Sequence, residues 1–262
     1  MISIKDIYKI EIIKLIKRKD IWVMMTMIGI PMFYSIGIYT NSSVITYNGD
    51  GKEYALKFVI HMFQFVYMVY IFFFLISLST AKSLAGEIEN KSILLYTQRI
   101  NNRKQIYIHK GLSLISVFSL ICILFFITSL AMFYLFAVKR TDIISSTFFK
   151  REELFMLICS FLIIYLLYVF MINLSLMLSS FLKQNSVLII TSIVYIVFAY
   201  LQNFPYVKYI SPSYYVLQIS KIEFFNTQGI INLIVPCIIL HAVYFIILNM
   251  IGIKKFKERD LY

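Results

Sequence analysis

The chain is poor in several things at once. Only 15% of its 262 residues are charged, and it holds eight Gly, four Pro and three Cys. So few charges on a chain that is 60% hydrophobic, with mean hydropathy +0.82, exclude an ordinary water-soluble globule and a disordered chain. The scarcity of Gly and Pro excludes collagen-like and low-complexity architectures. Cys122, Cys159 and Cys237 each lie in an apolar run, and none is paired at the CxxC spacing. A disulfide framework and a thiolate metal site are therefore not expected.

Catalytic motifs are missing as well. There is no G-x-x-x-x-G-K-[ST] phosphate loop, no HExxH and no GxSxG. The chain is expected to bind no ATP, cofactor or metal of its own and to have no catalytic residue. His61, His109 and His241 lack ligand-like spacing, and His61 and His241 read as polar groups satisfied by neighbouring helices. None of the thirteen acids falls in the middle of an apolar run, which argues against an ion-coupled carrier using carboxylate relays at membrane depth.

What is present is a series of long apolar runs, at residues 21–40, 58–80, 112–138, 154–181, 187–204 and 230–253. Each is long enough to cross about 30 Å of hydrocarbon as a helix. A helix closes its backbone hydrogen bonds within itself, so the expected fold is an all-α membrane protein with six transmembrane helices. Pro31 and Pro236 lie inside runs and predict kinks. Residues 1–20 mix Lys and Ile at helical spacing. Ile4, Tyr8, Ile12 and Leu15 share one side, while Asp6, Lys14, Lys17 and Arg18 fall largely on the other. This reads as an uncleaved amphipathic helix at a membrane surface.

The net charge of +12 is unevenly placed. With the N-terminus inside, residues 1–20 and 81–111 each carry six Lys or Arg, Lys183 adds one and the tail at 254–262 adds four, against eight on the outer loops. The positive-inside rule then puts both termini in the cytoplasm, and the basic balance points to anionic lipid rather than nucleic acid. The first outer loop carries the turn signal Asn48-Gly49-Asp50-Gly51. The last, at 205–229, is broken by Pro205 and Pro212, and its Tyr206, Tyr209, Tyr214 and Tyr215 suit a headgroup-level belt.

The inner segment 81–111 is the most informative. Glu87 and Glu89 lead into Ser92-Ile93-Leu94-Leu95-Tyr96, an apolar ridge where water is otherwise expected, and Arg99 follows. Asn102 with Gln105 three residues later forms a capping box, so a helix should start near Arg103. A short apolar helix framed by charge suits either a groove on a soluble partner or a lipid surface.

This segment resembles the first cytoplasmic loop of the membrane subunits of type-2 ATP-binding cassette (ABC) transporters, which show a G-E-x-E-x-G-T run, then leucines, then an R-P-x-S-R-like stretch. Gly86, Glu87, Glu89, Ser92 (for Thr), Leu95, Arg99 and Arg103 match. Lys91 replaces a Gly and Ile100 replaces the Pro. The layout is similar over the whole chain: an N-terminal elbow helix, six spans, both ends inside, and a broken apolar segment before the sixth span. The resemblance implies the permease subunit of an exporter in a bacterial cell membrane, paired with an identical or similar permease and with cytosolic ATPase subunits that hold ATP and Mg. It implies an ATPase-coupling role for Glu87, Glu89, Ser92, Ile93, Leu95, Tyr96, Arg99 and Arg103, and places the dimer contact and substrate path on the first and fifth spans. The Met- and aromatic-rich spans suit an apolar or amphipathic cargo, foremost an antimicrobial or cytolytic peptide exported or excluded for immunity, or else a drug, lipid or lipid-linked glycan. The rival classes are an ATP-independent carrier or channel and a non-transporting anchor or intramembrane enzyme.

Overall fold

A computed structural model describes residues 4–42, 52–98, 102–222 and 226–259. The turn at Asn48–Gly51 and the candidate residue Arg99 lie outside the described residues. Twelve α-helices are described: α1 Ile4–Ile16, α2 Lys19–Met24, α3 Gly29–Tyr39, α4 Ala55–Met68, α5 Ile71–Ala81, α6 Glu87–Glu89, α7 Leu94–Thr97, α8 Arg103–Leu135, α9 Arg151–Ser179, α10 Gln184–Leu201, α11 Pro212–Ile219 and α12 Thr227–Glu258. The β-pairing recorded among the described residues is an isolated bridge between Glu53 and Ile144. Six segments are long and apolar enough to cross a membrane: Lys19–Tyr39, Ile71–Glu89, Arg103–Lys139, Arg151–Ser179, Gln184–Leu201 and Thr227–Glu258.

α9 is the central post, packed by α12, α5, α4, α10 and α11. Its buried side carries Ile163, Ile164, Leu167, Tyr168 and Met171, and Ser160, Ser175 and Asn173 are buried on it as well. Small and hydroxyl side chains let membrane helices approach closely, and they bond back to their own helix, as Ser160 does to the Met156 carbonyl at 2.9 Å. Asn249 on α12 donates to Asn173 Oδ1 at 3.0 Å, a polar tie between two apolar helices.

The first apolar run changes helix type ahead of Pro31. A 3₁₀ turn, Met25–Ile28, interrupts the helix before it resumes at Gly29, because a proline removes one i→i−4 bond and crowds the preceding turn. In α12, Pro236 lies inside a helix that continues past it.

The run 58–80 does not form one helix. It is interrupted at Val69, which takes an extended conformation (φ −83°, ψ 91°) with neither Pro nor Gly nearby. α4 nevertheless packs antiparallel along α8, while α5 packs on α9 and α10. Phe58 packs on Phe133, Phe63 on Phe125, and beyond α5 Glu87 reaches Lys110. Aromatic packing holds the break: Phe73 stacks on Tyr168 at 4.6 Å and on Tyr195 at 4.2 Å, and Tyr70 meets Tyr195 edge-on at 5.5 Å.

The contacts sort the connections into two ends of the bundle. At one end, α1 packs on the start of α8, and Arg103 Nη1 donates to the carbonyls of Lys257 and Arg259 at the close of α12. At the opposite end, Glu53 pairs with the 143–145 strand-like segment, Lys57 lies 3.2 Å from Glu153, and Arg140 bonds Asn41 and the Ile38 carbonyl. The N-terminal helix and the end of α12 therefore share one end.

Two sequence expectations change here. Tyr206 and Tyr209 are exposed, as a belt requires, but Tyr214 and Tyr215 are buried on α11, which packs against α9 and α12. α11 is a helix tucked into the bundle, so half of these four tyrosines face protein. The N-terminal helix buries Ile7, Glu11 and Leu15 against the bundle, leaving Ile10, Ile13 and Ile16 exposed. The stripe that packs is set by α8: it keeps Leu15 of the apolar arc read from the sequence but buries Ile7 and Glu11 beside the half-buried Tyr8 and Ile12.

Candidate functional site

At the end that holds both α1 and the close of α12, five consecutive residues, Lys82–Gly86, form a π-helical turn after α5. A π turn inserts an extra residue and so rotates the next stretch of helix about its axis. The rotation brings Glu87 inward to 6% exposure. There its Oε2 accepts from Lys110 Nζ at 2.8 Å, and its Oε1 pairs with Lys14.

Lys110 has no exposed surface at all, and its Nζ also bonds both oxygens of Glu11 at 3.0 Å. A buried ammonium is tolerated only when paired and hydrogen-bonded, and here two carboxylates and two ammonium groups balance. Tyr96 closes the cluster. Its ring lies 5.3 Å from the ammonium groups of both Lys14 and Lys110. Burial alone would raise the Glu11 carboxyl. The charges of Lys110 and Lys14 and hydrogen bonds from Lys110 and Tyr96 outweigh it and hold Glu11 below its ordinary value. Burial and the two carboxylates push the Tyr96 phenol upward, so it stays a donor.

The rest of the loop builds on this root. Asn90 ends α6, and Lys91 takes φ +57°, the left-handed region. A non-glycine residue is strained in that region. Ile93 then packs to zero exposure with its N–H on the Glu87 carbonyl at 3.1 Å, and Ser92 Oγ reaches the same carbonyl at 3.4 Å. Leu95 points away, 63% exposed.

Glu89 is exposed, and its carboxylate accepts from the backbone N–H of Gln184, the first residue of α10, at 2.6 Å. An acid there complements the helix dipole. A Cβ on Gly86 would lie 2.9 Å from the Gln184 amide oxygen, so the loop and α10 are in tight contact. α8 begins at Arg103 with Asn102 Oδ1 accepting from Lys104 N at 3.1 Å, where the capping box is read in the sequence.

The candidate residues therefore divide. Glu87, Ile93, Tyr96 and Ser92 form the anchored root. Glu89 joins the loop to α10, and Arg103 caps the close of α12. Leu95 is the exposed tip. Glu11, Lys14 and Lys110 are missed by the sequence reading, although a signal exists for two of them. Glu11 interrupts the stripe Ile4, Tyr8, Glu11, Leu15, and Lys110 stands on the apolar stripe Ile106, Tyr107, Leu114, Val117. A charge within an apolar stripe asks for a buried partner. Nearby, Arg18 clamps Asp20 at 3.1 and 2.8 Å and the Ser79 carbonyl at 2.9 Å, fastening the start of α2 to α5.

A second feature lies along the break. A trough of about 450 Å³ runs between α5 and α10, lined by Tyr70, Phe73, Ser77, Met171, Ser192 and Tyr195. It is aromatic with a few hydroxyls. Among the described residues no group of three or more His, Cys, Asp or Glu side chains is placed to hold a metal ion. Cys122, Cys159 and Cys237 are free and buried. His61 Nδ1 lies 2.7 Å from Glu53, and His241 bonds its own helix at the Cys237 carbonyl.

A helical bundle of long apolar segments with a charged, ion-paired end defines a multi-helix membrane-embedded protein. The chain belongs to a family described as a protein of unknown function (DUF2705), whose model matches residues 22–262. Comparison with curated proteins and with solved structures finds no match.

Proposed function

We propose that this protein is the permease subunit of an ATP-driven exporter, coupled through the 87–98 segment to a separate cytosolic ATPase. The observation that carries the reading is the pairing of an exposed apolar tip, Leu95, with a root that is ion-paired to Lys110 on α8 and to Glu11 and Lys14 on α1. A rigid root and a free apolar tip suit a lever. An ATPase groove takes the tip, and its displacement passes to α1 and α8 through the ion pairs, to α5 through the continuous chain at the π turn, and to α10 through Glu89. The matched positions Gly86, Glu87, Glu89, Ser92, Leu95 and Arg103 support the same reading.

In this proposal both termini face the cytoplasm of a bacterial cell, in keeping with the basic excess at that end. ATP and Mg are held by the partner ATPase, and a second permease, identical or similar, completes the complex. The trough between α5 and α10 is the proposed route of an apolar or amphipathic cargo, with a peptide first among them. Its aromatic walls and sparse hydroxyls fit such a molecule better than an ion.

The test is co-expression with the ATPase encoded beside this chain, followed by purification in lipid nanodiscs and assay of ATP turnover with and without amphipathic peptide. Stable association with peptide-responsive turnover is expected. Absence of association in native-like lipid overturns the proposal in favour of a carrier or an anchor.

A further inference from the structure

The break between α4 and α5 lies at mid-depth of the bundle, since Phe73, just beyond it, stacks on Tyr168 halfway along the 154–181 run. Val69 is extended there, and its own backbone groups are satisfied. Its N–H donates to the Phe65 and Val66 carbonyls at 3.2 and 3.1 Å, and its carbonyl accepts from Phe72 N–H at 3.2 Å. The groups on either side are not satisfied. Among the described residues, the Met68 carbonyl and the Tyr70 N–H have no hydrogen-bond partner. Unpaired backbone is costly at membrane depth and is retained where it lines a cavity or a site. Met68, Tyr70 and Ile71 are 66%, 62% and 57% exposed, and Tyr70 and Ile71 line the trough between α5 and α10. The break therefore opens at the head of that trough.

A carbonyl and an N–H that flank one extended residue point to the same side of the chain. In a parallel β-bridge such a pair bonds the N–H and carbonyl of a single residue on the other strand. The outer end of this protein shows the completed pattern around Ile144. There the Ile143 carbonyl accepts from Glu53 N–H at 3.0 Å, and Ser145 N–H donates to the Glu53 carbonyl at 2.7 Å. The corresponding pair around Val69 is unmatched within the chain.

Ser77 gives an independent indication of a ligand. It lines the same trough, is 1% exposed, and its hydroxyl makes no hydrogen bond among the described residues. Ser192 across the trough differs, because it donates to the Leu188 carbonyl at 2.8 Å. From Ile71 to Ser77 the helix rises about 9 Å, the length of roughly three residues of extended chain. No charged residue lines the trough. The negative end of α4 and the positive end of α5 meet at the break and offset each other, so no ion is favoured. The occupant brings a donor and an acceptor on one neutral unit, with apolar groups for Phe73, Phe74 and Tyr195.

We infer that the break recognises the main chain of an extended apolar peptide. One peptide residue donates to the Met68 carbonyl and accepts from the Tyr70 N–H, and a peptide carbonyl further along accepts from the Ser77 hydroxyl. Recognition through the main chain requires of the side chains only that they be apolar. Such a site rests on the proposed cargo route, and it needs no ATPase in order to bind.

The experiment uses the full chain, without an ATPase, in phosphatidylcholine nanodiscs. The probes are a capped hexapeptide of leucines with one diazirine-bearing residue, the same peptide N-methylated at every amide, and a diazirine-bearing phosphatidylcholine. Mass spectrometry locates the adducts. Those at 68–77 and 192–196 are divided by those at 238–251 on the exposed flank of α12, which corrects for partition into lipid. The ratio should be about 3- to 10-fold higher for the unmethylated peptide, the advantage of one hydrogen bond. Tyr70→Pro deletes the N–H with little strain, because Tyr70 has φ −53° and the residue before it is extended. It should erase the preference. Tyr70→Ala, which loses the ring and keeps the N–H, should retain it. Ser77→Ala should lower the ratio for the unmethylated peptide about 2- to 5-fold. Equal ratios for the two peptides in the wild type overturn the inference whatever the variants do, and so does a preference that survives Tyr70→Pro. Labelling of the trough by the phosphatidylcholine alone assigns it to lipid and overturns it as well. If peptide-responsive ATP turnover is found despite such a result, the permease reading stands and only the main-chain site falls. If the preference is found and no ATPase associates, the site stands and the permease reading falls.

Discussion

The ammonium of Lys110 on α8 bonds both carboxylate oxygens of Glu11 on α1 at 3.0 Å, with no surface left to water. The pair fastens the N-terminal helix to the bundle at the point where Glu87 and Tyr96 of the candidate lever also arrive. Lys110→Met leaves two buried acids facing one another with only Lys14 to balance them. Loss of one member of such a cluster costs about 3–5 kcal/mol. The unfolding midpoint in detergent should fall accordingly, and Lys110→Met with Glu11→Leu should recover part of it, since the Glu87–Lys14 pair then stands alone and neutral.

The same cluster sets a pH dependence. The folded Glu11 carboxyl lies below its ordinary value of 4.5, so the unfolded chain binds its proton first on acidification. Its contribution is fully present above about pH 4.5 and is lost as the pH falls through the lower, folded value. Melting curves between pH 3 and pH 7 should show stability falling below the ordinary value. Glu11→Gln should be less stable at pH 7 and should flatten that fall. An unchanged slope would mean that other carboxylates govern it.

Lys91 holds φ +57° in the turn between α6 and α7. A non-glycine residue in that region costs about 1–2 kcal/mol. Glycine there carries an entropic penalty from the unfolded chain, so Lys91→Gly should stabilise by roughly 1 kcal/mol. Lys91→Val should destabilise, because a branched Cβ crowds the left-handed conformation further. Chemical unfolding of both variants checks the opposite signs.

Leu95→Asp separates coupling from folding. Leu95 is 63% exposed, so the substitution should leave the unfolding midpoint within about 0.5 kcal/mol of wild type while abolishing ATPase association or transport. Glu89→Lys is a less clean variant: it removes an acid from the N-terminus of α10 and should itself cost about 1 kcal/mol. Wild-type transport by Leu95→Asp would place the coupling surface elsewhere.

Gly252 on α12 lets Tyr107 of α8 approach so closely that a Cβ would overlap its hydroxyl oxygen. Gly252→Ala should destabilise by about 1–3 kcal/mol through overpacking. Adding Tyr107→Ala should remove the clash, so the double variant should be more stable than additivity of the single variants predicts. A double-mutant cycle measures the coupling.

Much of the architecture is legible in the sequence because it is dictated locally. A run of about twenty apolar residues must close its own backbone bonds, and Asn102 with Gln105 marks the start of α8 at Arg103. The 3₁₀ turn before Pro31 reflects the missing N–H of proline. The apolar ridge at 92–96 is likewise visible in the pattern, but of its apolar residues Leu95 alone is exposed: Ile93 is buried and Leu94 and Tyr96 are half-buried.

Other features depend on packing between distant parts of the chain. The interruption at Val69 has no Pro or Gly to announce it and depends on the stacking of Phe73 between Tyr168 and Tyr195, which lie far apart in the chain. Composition cannot assign Tyr214 and Tyr215 to protein rather than interface, since a tyrosine suits both. The charge of Glu87 suggests a place on a solvent-facing loop, yet the π turn rotates it onto Lys110. Charges at positions 11, 14, 87 and 110 are tolerated because each is compensated by a partner on another element; the apolar stripes around Glu11 and Lys110 show that a partner is needed, but which element supplies it is decided by the packing.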